Sequence, residues 1–255
     1  MEPILKVENL TKVFSHSGQE AFTAVNGVSF AMKPGECLGI IGESGSGKTT
    51  LVNLITRLVD ATDGNIYLHG EEITHLKGKA LRRVYRNMQM VFQTPTDSFD
   101  PRRTLGDGIG ESLRNAGLSR KETREKVEAL LKDCGLPPEY ADRYPHQVSG
   151  GQCQRAAIAR ALAIAPRLLI CDEITSALDV TVQKEILELL NALRTRQGRG
   201  LSILFISHDI SLVQQFCDRV LVMYRGEIVE EGTPDEVIRN PKNDYTKRLI
   251  DSVLS

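Results

Sequence analysis

The chain has 255 residues, of which 41% are hydrophobic and 25% charged, enough for one large domain or a domain with a sub-domain around an ordinary globular core. A formal net charge of −1 gives no reason to expect a general binder of nucleic acid or of anionic membranes, both of which call for an excess of basic residues. Five cysteines, at positions 37, 134, 153, 171 and 217, form no C-x-x-C pair, and several lie in apolar runs; they read as reduced core thiols, with neither disulfide nor metal cluster expected. In chain order, MEPILKVENL lacks a basic stretch followed by an apolar one, so no secretion signal is expected. The segments ILKVENL, AVNGVSFAM and ECLGII alternate with turns such as Pro34-Gly35 and suggest an N-terminal β-layer over residues 4–41. A helix is expected from the glycine-rich stretch after it to about Val59, then a turn and strand at DGNIYLHG and a buried strand at MQMVFQ, 88–93.

From Thr94 the texture changes. TPTDSFDPRRTL is turn-rich, and SRKETREKVEALLKDCG pairs Ser119 with Glu122 as a capping box, with Val127, Leu130, Leu131 and Cys134 on one helix face. Residues 95–150 read as a mostly helical insertion. A long helix is expected from Gln152 to Ala165, then the strand LLICDE, a helix with Val182, Ile186, Leu189, Leu190 and Leu193 on one side, and the strand LSILFIS. Alternating strands and helices imply a largely parallel α/β sheet covered on both faces. RVLVMYRGEIVEEG predicts a hairpin at Arg225-Gly226, and residues 232–255 short surface helices. The richest apolar run, AAIARALAIAPRLLIC, is broken by Arg160, Pro166 and Arg167, so no bilayer span is expected.

The stretch IIGESGSGKTT, residues 40–50, fits G-x-x-x-x-G-K-[ST] between an apolar strand and a helix-period segment in which Leu51, Leu54, Ile55 and Leu58 recur. Without Cβ atoms, Gly42, Gly45 and Gly47 allow successive N–H groups to turn inward on an anion at a helix N-terminus. Lys48 is placed to reach the β- and γ-phosphates and the Thr49 hydroxyl to hold Mg²⁺. The whole loop, Gly42, Glu43, Ser44, Gly45, Ser46, Gly47, Lys48, Thr49 and Thr50, is therefore the candidate triphosphate cradle; a glycine-rich turn carrying a surface lysine is the plainer alternative. LLICDE puts Asp172 and Glu173 where a buried strand ends, the edge at which open α/β sheets bind ligands. One carboxylate there can hold Mg²⁺ and its neighbour can orient or deprotonate water. Two solvated acids at a strand end would be the better reading without the phosphate loop.

VSGGQCQR, residues 148–155, resembles the LSGGQ signature of the ATP-binding cassette family, with Val148 in place of leucine and Ser149, Gly150, Gly151 and Gln152 matching. By itself SGGQ could be a turn and helix cap. The order of phosphate loop, glutamine after a strand, SGGQ, hydrophobic-DE, SALD and histidine after a strand carries the resemblance across nearly the whole chain. It implies a P-loop NTPase fold with a RecA-like, mostly parallel sheet core, an N-terminal antiparallel β subdomain and a helical subdomain between Gln93 and the signature. The implied segments are 1–94 and 151–231 for the core, 95–150 for the helical subdomain and 232–255 for a helical tail. The resemblance further makes Gln93 the sensor of Mg²⁺ and water that couples to a membrane partner, and places Ser176–Asp179, with Asp179 a nucleotide contact, at a subunit interface. His208 becomes the contact to the γ-phosphate and Phe14 the aromatic against adenine, though Phe22 and Phe30 compete for that place. Glu173 then polarises water for attack while Lys48, His208, Mg²⁺ and a partner's Ser149 steady the developing charge. Thr49, Gln93 and Asp172 are the implied Mg²⁺ residues.

The same resemblance implies head-to-tail pairing with a second, identical or homologous cassette, each ATP lying between one phosphate loop and the other SGGQ. FQTPTDSFDPRRTL, YPHQVSGGQCQR, SALDVTVQKEILELL and NDYTKRLIDSV are similar to the peptide and nickel importer branch, with Phe99-Asp100 and Ile174 as departures. This implies a peripheral ATPase at the cytoplasmic face of the membrane, working with two transmembrane permease subunits and, indirectly, an extracytoplasmic solute-binding protein. A cassette of a soluble enzyme complex is the alternative. A DNA-repair cassette would carry a long coiled coil between its motifs, where this chain has 55 residues without heptads. A nucleotide kinase would have no use for SGGQ or SALD.

Overall fold

The computed structural model describes residues 2–15, 21–196 and 200–254. In chain order the elements are β1 (Leu5–Phe14), β2 (Phe22–Met32), β3 (Cys37–Ile41), α1 (Lys48–Ile55), β4 (Asp63–Leu68), β5 (Glu71–Glu72), α2 (Gly78–Asn87), β6 (Met88–Val91), α3 (Leu105–Asn115), α4 (Arg120–Asp133), α5 (Gly150–Leu162), β7 (Leu168–Asp172), α6 (Val180–Thr195), β8 (Ser202–Ile206), α7 (Ile210–Phe216), β9 (Arg219–Tyr224), β10 (Glu227–Gly232), α8 (Pro234–Arg239) and α9 (Asp244–Leu254). They fall into two compact units, one of residues up to Tyr85 plus those from Leu201, the other of Arg86–Gly200.

In the first unit β1 lies between β2 and β4 in an antiparallel sheet of order β2-β1-β4-β5. Leu5 faces Met32 and Leu68, and Val7 faces Phe30 and Ile66, all buried, while Lys6 between them is exposed. That alternation is the mark of a sheet with one face on the core. ECLGII leaves this layer, contrary to expectation. Its strand β3 runs parallel to β8 on one side and β9 on the other, and all five of its residues are buried. A continuous apolar run can shed water on both faces only inside a covered parallel sheet, which is why it does not join the half-exposed one. The expected hairpin is present as β9 and β10, paired antiparallel through Arg225-Gly226. Burial of Val237, Ile238, Tyr245, Leu249 and Ile250 seats α8 and α9 on this unit.

Two helix ends differ from the sequence reading. The helix after the glycine-rich loop stops at Ile55: the Thr56 hydroxyl donates to the Val52 carbonyl, Arg57 takes a left-handed φ of 58°, and Leu58 ends 59% exposed. Helix α5 starts at Gly150 and ends at Leu162, because Ala165, at φ 51°, turns the chain toward Pro166. Helices α2 and α7 were not foreseen; the first is highly polar with only Val84 buried, the second only seven residues long.

In the second unit β6 and β7 pair in parallel, Met88 opposite Leu168 through Val91 opposite Cys171. Helices α3 and α4 lie in the segment expected to be helical, and α4 carries the full Ser119/Glu122 capping box. Its buried positions are Thr123, Val127 and Leu131, with Cys134 buried at the cap. In α6 the buried residues are Ile186, Leu187, Leu190 and Leu193, so Leu187 takes a core place where Val182 and Leu189 stay half-buried. All five cysteines are buried, and none is in a disulfide.

Candidate functional site

The glycine-rich loop leaves the carboxyl end of β3 and closes on α1, whose first residue is Lys48 and whose N-cap is Gly47 at φ 107°. Gly42, at φ 151°, lies so close to Met223 that a Cβ would collide with its carbonyl oxygen. A Cβ on Gly47 would come within 2.5 Å of the Ala24 carbonyl. Glycine is thus demanded at both ends of the loop by conformation and by space. Lys48 is 5% exposed, and its ammonium donates to the carbonyls of Gly42 at 2.7 Å and Glu43 at 2.9 Å, with the Ser46 hydroxyl at 3.5 Å. Ser46 is buried, and its carbonyl accepts the Gly226 N–H at 2.8 Å. Glu43, Ser44, Gly45 and Thr49 are exposed, and Thr50 is half-buried. A cationic group set inside a rigid backbone curve at a helix N-terminus is an anion cradle, and the residues present fit a polyphosphate.

His208 of the same unit is exposed in the turn between β8 and α7, beside Asp209, which caps α7 by accepting the N–H groups of Ser211 and Leu212. Phe14 ends β1 half-buried, opposite Phe22, with the Lys12 ammonium 5.0 Å from its ring centroid. Phe22 is 62% exposed and Phe30 is buried in the core, so of the three aromatics only Phe30 is fully withdrawn from solvent.

In the second unit Asp172 closes β7 and Glu173 follows it at φ 49°, a left-handed conformation that is costly for a residue with a side chain. The backbone N–H and the hydroxyl of Ser176 both donate to the Glu173 carbonyl, at 3.1 and 2.9 Å. The Gln93 amide donates to the Glu173 carboxylate at 3.3 Å and to the Ser176 hydroxyl at 3.1 Å. Gln93, Glu173 and Ser176 therefore form one polar cluster, although 80 residues separate the first two. Ser149 is the N-cap of α5 in a reciprocal box with Gln152: the Gln152 N–H donates to the Ser149 hydroxyl at 3.3 Å, and the Ser149 N–H to the Gln152 side-chain oxygen at 2.9 Å. The helix begins two residues earlier than expected, so the N–H groups of Gly150 and Gly151 lie in its first turn, where an α-helix has no internal acceptor for them. Gly151 has a packing reason as well, since a Cβ there would meet Val182 at 2.6 Å. Asp179 caps α6 by accepting the Val182 N–H at 3.0 Å. Thr49, Gln93 and Asp172 all present hard oxygen donors, the ligand chemistry that Mg²⁺ takes.

Sequence reasoning missed the walls of the phosphate loop. Ala24, Met223 and Gly226 enclose it, and Tyr245 accepts the Glu43 N–H at 3.0 Å. The hairpin pattern marks Gly226 as a turn residue, but no local pattern marks any of the four as a neighbour of the loop.

The family profile described as ABC transporter matches residues 25–176. The chain belongs to this family. Among ABC transporter relatives, the oligopeptide transport ATP-binding protein OppF of Escherichia coli strain K12 is 48% identical over 232 residues, covering 90% of this chain and 69% of that protein. The glutathione import ATP-binding protein GsiA of Pectobacterium atrosepticum is 44% identical over 259 residues, 99% of this chain but 41% of that longer protein. A solved dimeric ATP-binding cassette, in a post-hydrolysis state bound to ADP and Pi, matches with a TM-score of 0.81 at 32% identity over 90% of this chain and 98% of its own. The cassette cbiO1 of Clostridium perfringens matches with a TM-score of 0.83 at 30% identity, over 94% and 92%. The fold is the P-loop NTPase fold of ABC cassettes, as the motif order implied, and the chain is an ATP-binding ATPase.

Proposed function

We propose that this ABC ATPase powers a multi-subunit peptide importer from the cytoplasmic face of the membrane. The observation that carries this is the 48% identity, over 90% of the chain, to a protein named for oligopeptide transport. Glutathione, named for a second relative, is itself a small peptide. Among the described residues no helix is long and apolar enough to cross a membrane. Two permease subunits and a second cassette, a copy or a homologue, complete the assembly, with a solute-binding protein acting through the permeases. Core segments 1–94 and 151–231, the helical segment 95–150 and the tail 232–255 are part of the same reading.

In this proposal the loop from Gly42 to Thr50 receives the phosphates, with Lys48 and His208 on the γ-phosphate and Phe14 against the base. Glu173 accepts the proton of the attacking water, and Gln93, hydrogen-bonded to it, orients that carboxylate. Thr49, Asp172 and Gln93 are the residues that would hold Mg²⁺, which supplies neutralisation of phosphate charge. Ser149, Gly150, Gly151, Gln152 and Asp179 serve the partner cassette's nucleotide, so hydrolysis waits on closure of the pair.

Purification of the tagged chain from its own membranes tests the assignment. Two integral membrane proteins should accompany it, and ATP turnover in proteoliposomes should rise with peptide-loaded binding protein. A soluble enzyme as the sole companion would overturn it in favour of a non-transport cassette.

A further inference from the structure

Tyr245, in the C-terminal helix α9, is 5% exposed, and its hydroxyl accepts the backbone N–H of Glu43, the second residue of the phosphate loop, across 202 positions of sequence. The ring stacks on Tyr224 at a centroid distance of 4.0 Å and an interplanar angle of 27°. Tyr224 in turn carries the Arg225 guanidinium 5.1 Å from its ring centroid, in the turn whose next residue, Gly226, donates to Ser46 of the loop. The loop is therefore gripped at two peptides, Gly42–Glu43 from α9 and Ser46–Gly47 from the β9–β10 turn. The peptide unit joining Gly42 to Glu43 has a second engagement: its carbonyl, that of Gly42, accepts the Lys48 ammonium at 2.7 Å. Whatever fixes the plane of the Gly42–Glu43 peptide fixes the Gly42 carbonyl, one of the acceptors that hold the lysine.

Tyr245 is itself preset. The Glu230 carboxylate accepts the N–H groups of Lys242 at 2.8 Å and Asn243 at 3.0 Å, and the Asn243 side-chain oxygen accepts the Tyr245 N–H at 2.8 Å. A continuous series of bonds therefore leads from β10 through the start of α9 to the loop and its lysine.

We propose that Tyr245 is a positioning residue of the nucleotide site, its hydroxyl holding the Gly42–Glu43 peptide so that the loop and Lys48 are preorganised for phosphate. This rests on the reading of residues 42–50 as the triphosphate cradle and adds to it a requirement for the C-terminal helix. A preformed cradle spends no binding energy on ordering itself, so loss of the bond appears in nucleotide affinity.

The test uses the full chain and Tyr245→Phe, which deletes the hydroxyl and keeps the ring on Tyr224. Two readouts are needed, calorimetric titration with MgATP and hydrogen–deuterium exchange at the Glu43 amide without nucleotide. We expect MgATP affinity to fall about three- to ten-fold, the worth of one hydrogen bond. Exchange at Glu43 should quicken by about ten-fold or more while amides in the middle of α9 stay as in the parent. Asn243→Ala, which keeps the phenol but frees its mounting, should move both readouts in the same direction. Parent-like affinity in Tyr245→Phe, or weaker affinity without faster exchange at Glu43, would overturn the proposal. Failure of the parent chain itself to take up MgATP would instead sink the triphosphate reading, and exchange at Glu43 would then decide the strut alone.

Discussion

Gln93 and Glu173 meet side chain to side chain at 3.3 Å, and Gln93 simultaneously donates to the Ser176 hydroxyl at 3.1 Å. The carboxylate of this cluster belongs to Glu173, which sits at φ 49°, a conformation costing about 1–2 kcal/mol for a non-glycine residue. Such strain persists where the surroundings impose it and the side chain is needed there. Glu173→Gln should lower steady-state ATP turnover by about 100-fold or more while MgATP still binds. Glu173→Gly should be equally inactive yet melt no lower than the parent, since glycine adopts that φ without a Cβ penalty. Unchanged turnover in Glu173→Gln would remove Glu173 from the role of base.

The phosphate loop makes a sharper demand on Gly42 than on Gly45. Both have positive φ, but a Cβ at Gly42 meets the Met223 carbonyl, whereas at Gly45 nothing lies within 4 Å. Gly42→Ala should lower stability by about 2–4 kcal/mol and abolish MgATP binding, because β9 backbone must give way. Gly45→Ala should cost only the conformational term, about 1–2 kcal/mol. Chemical denaturation of the two variants side by side measures the contrast, and equal losses would contradict it.

Burial raises the Cys153 thiol to about 11, so its thiolate is scarce until strongly alkaline pH. At pH 8 the reactive fraction is roughly one in a thousand, and the other four cysteines are buried too. Ellman's reagent should find no rapidly reacting thiol in the native chain at pH 8 and all five after denaturation. A fast native thiol would show that one of these positions opens to solvent.

Acid should loosen the C-terminal segment. Burial pushes the Glu230 carboxyl up, but the N–H of Lys242, the Thr246 hydroxyl and the N–H of Asn243 together outweigh it, and the net displacement is downward. A depressed folded value means the stabilisation is complete above the ordinary carboxylate pKa, about 4.3, and is lost as pH falls through the lower folded value. The melting-temperature gap between the parent and Glu230→Gln should stay constant from pH 7 to about 5 and shrink below about pH 4. A gap that persists undiminished in strong acid would mean the anchor does not depend on ionisation.

Much of this protein was legible in its residues because the signals concern the chain's own neighbourhood. The phosphate loop, the Ser119/Glu122 cap, the β9–β10 hairpin and the apolar run of β3 each state a backbone requirement within a few positions, and the motif order carried the family. Four things needed the folded chain. ECLGII could be read as a strand, yet which sheet it joins depends on whether both faces are covered. Leu58 continued a helical period, but the left-handed turn at Arg57 ended the helix before it could count. The grip of Tyr245 on Glu43 and the left-handed Glu173 under Gln93 arise from segments brought together across 202 and 80 positions of sequence. Local patterns encode which conformations a stretch can adopt; contacts between distant stretches, and the strain those contacts impose, exist only once packing has chosen among them.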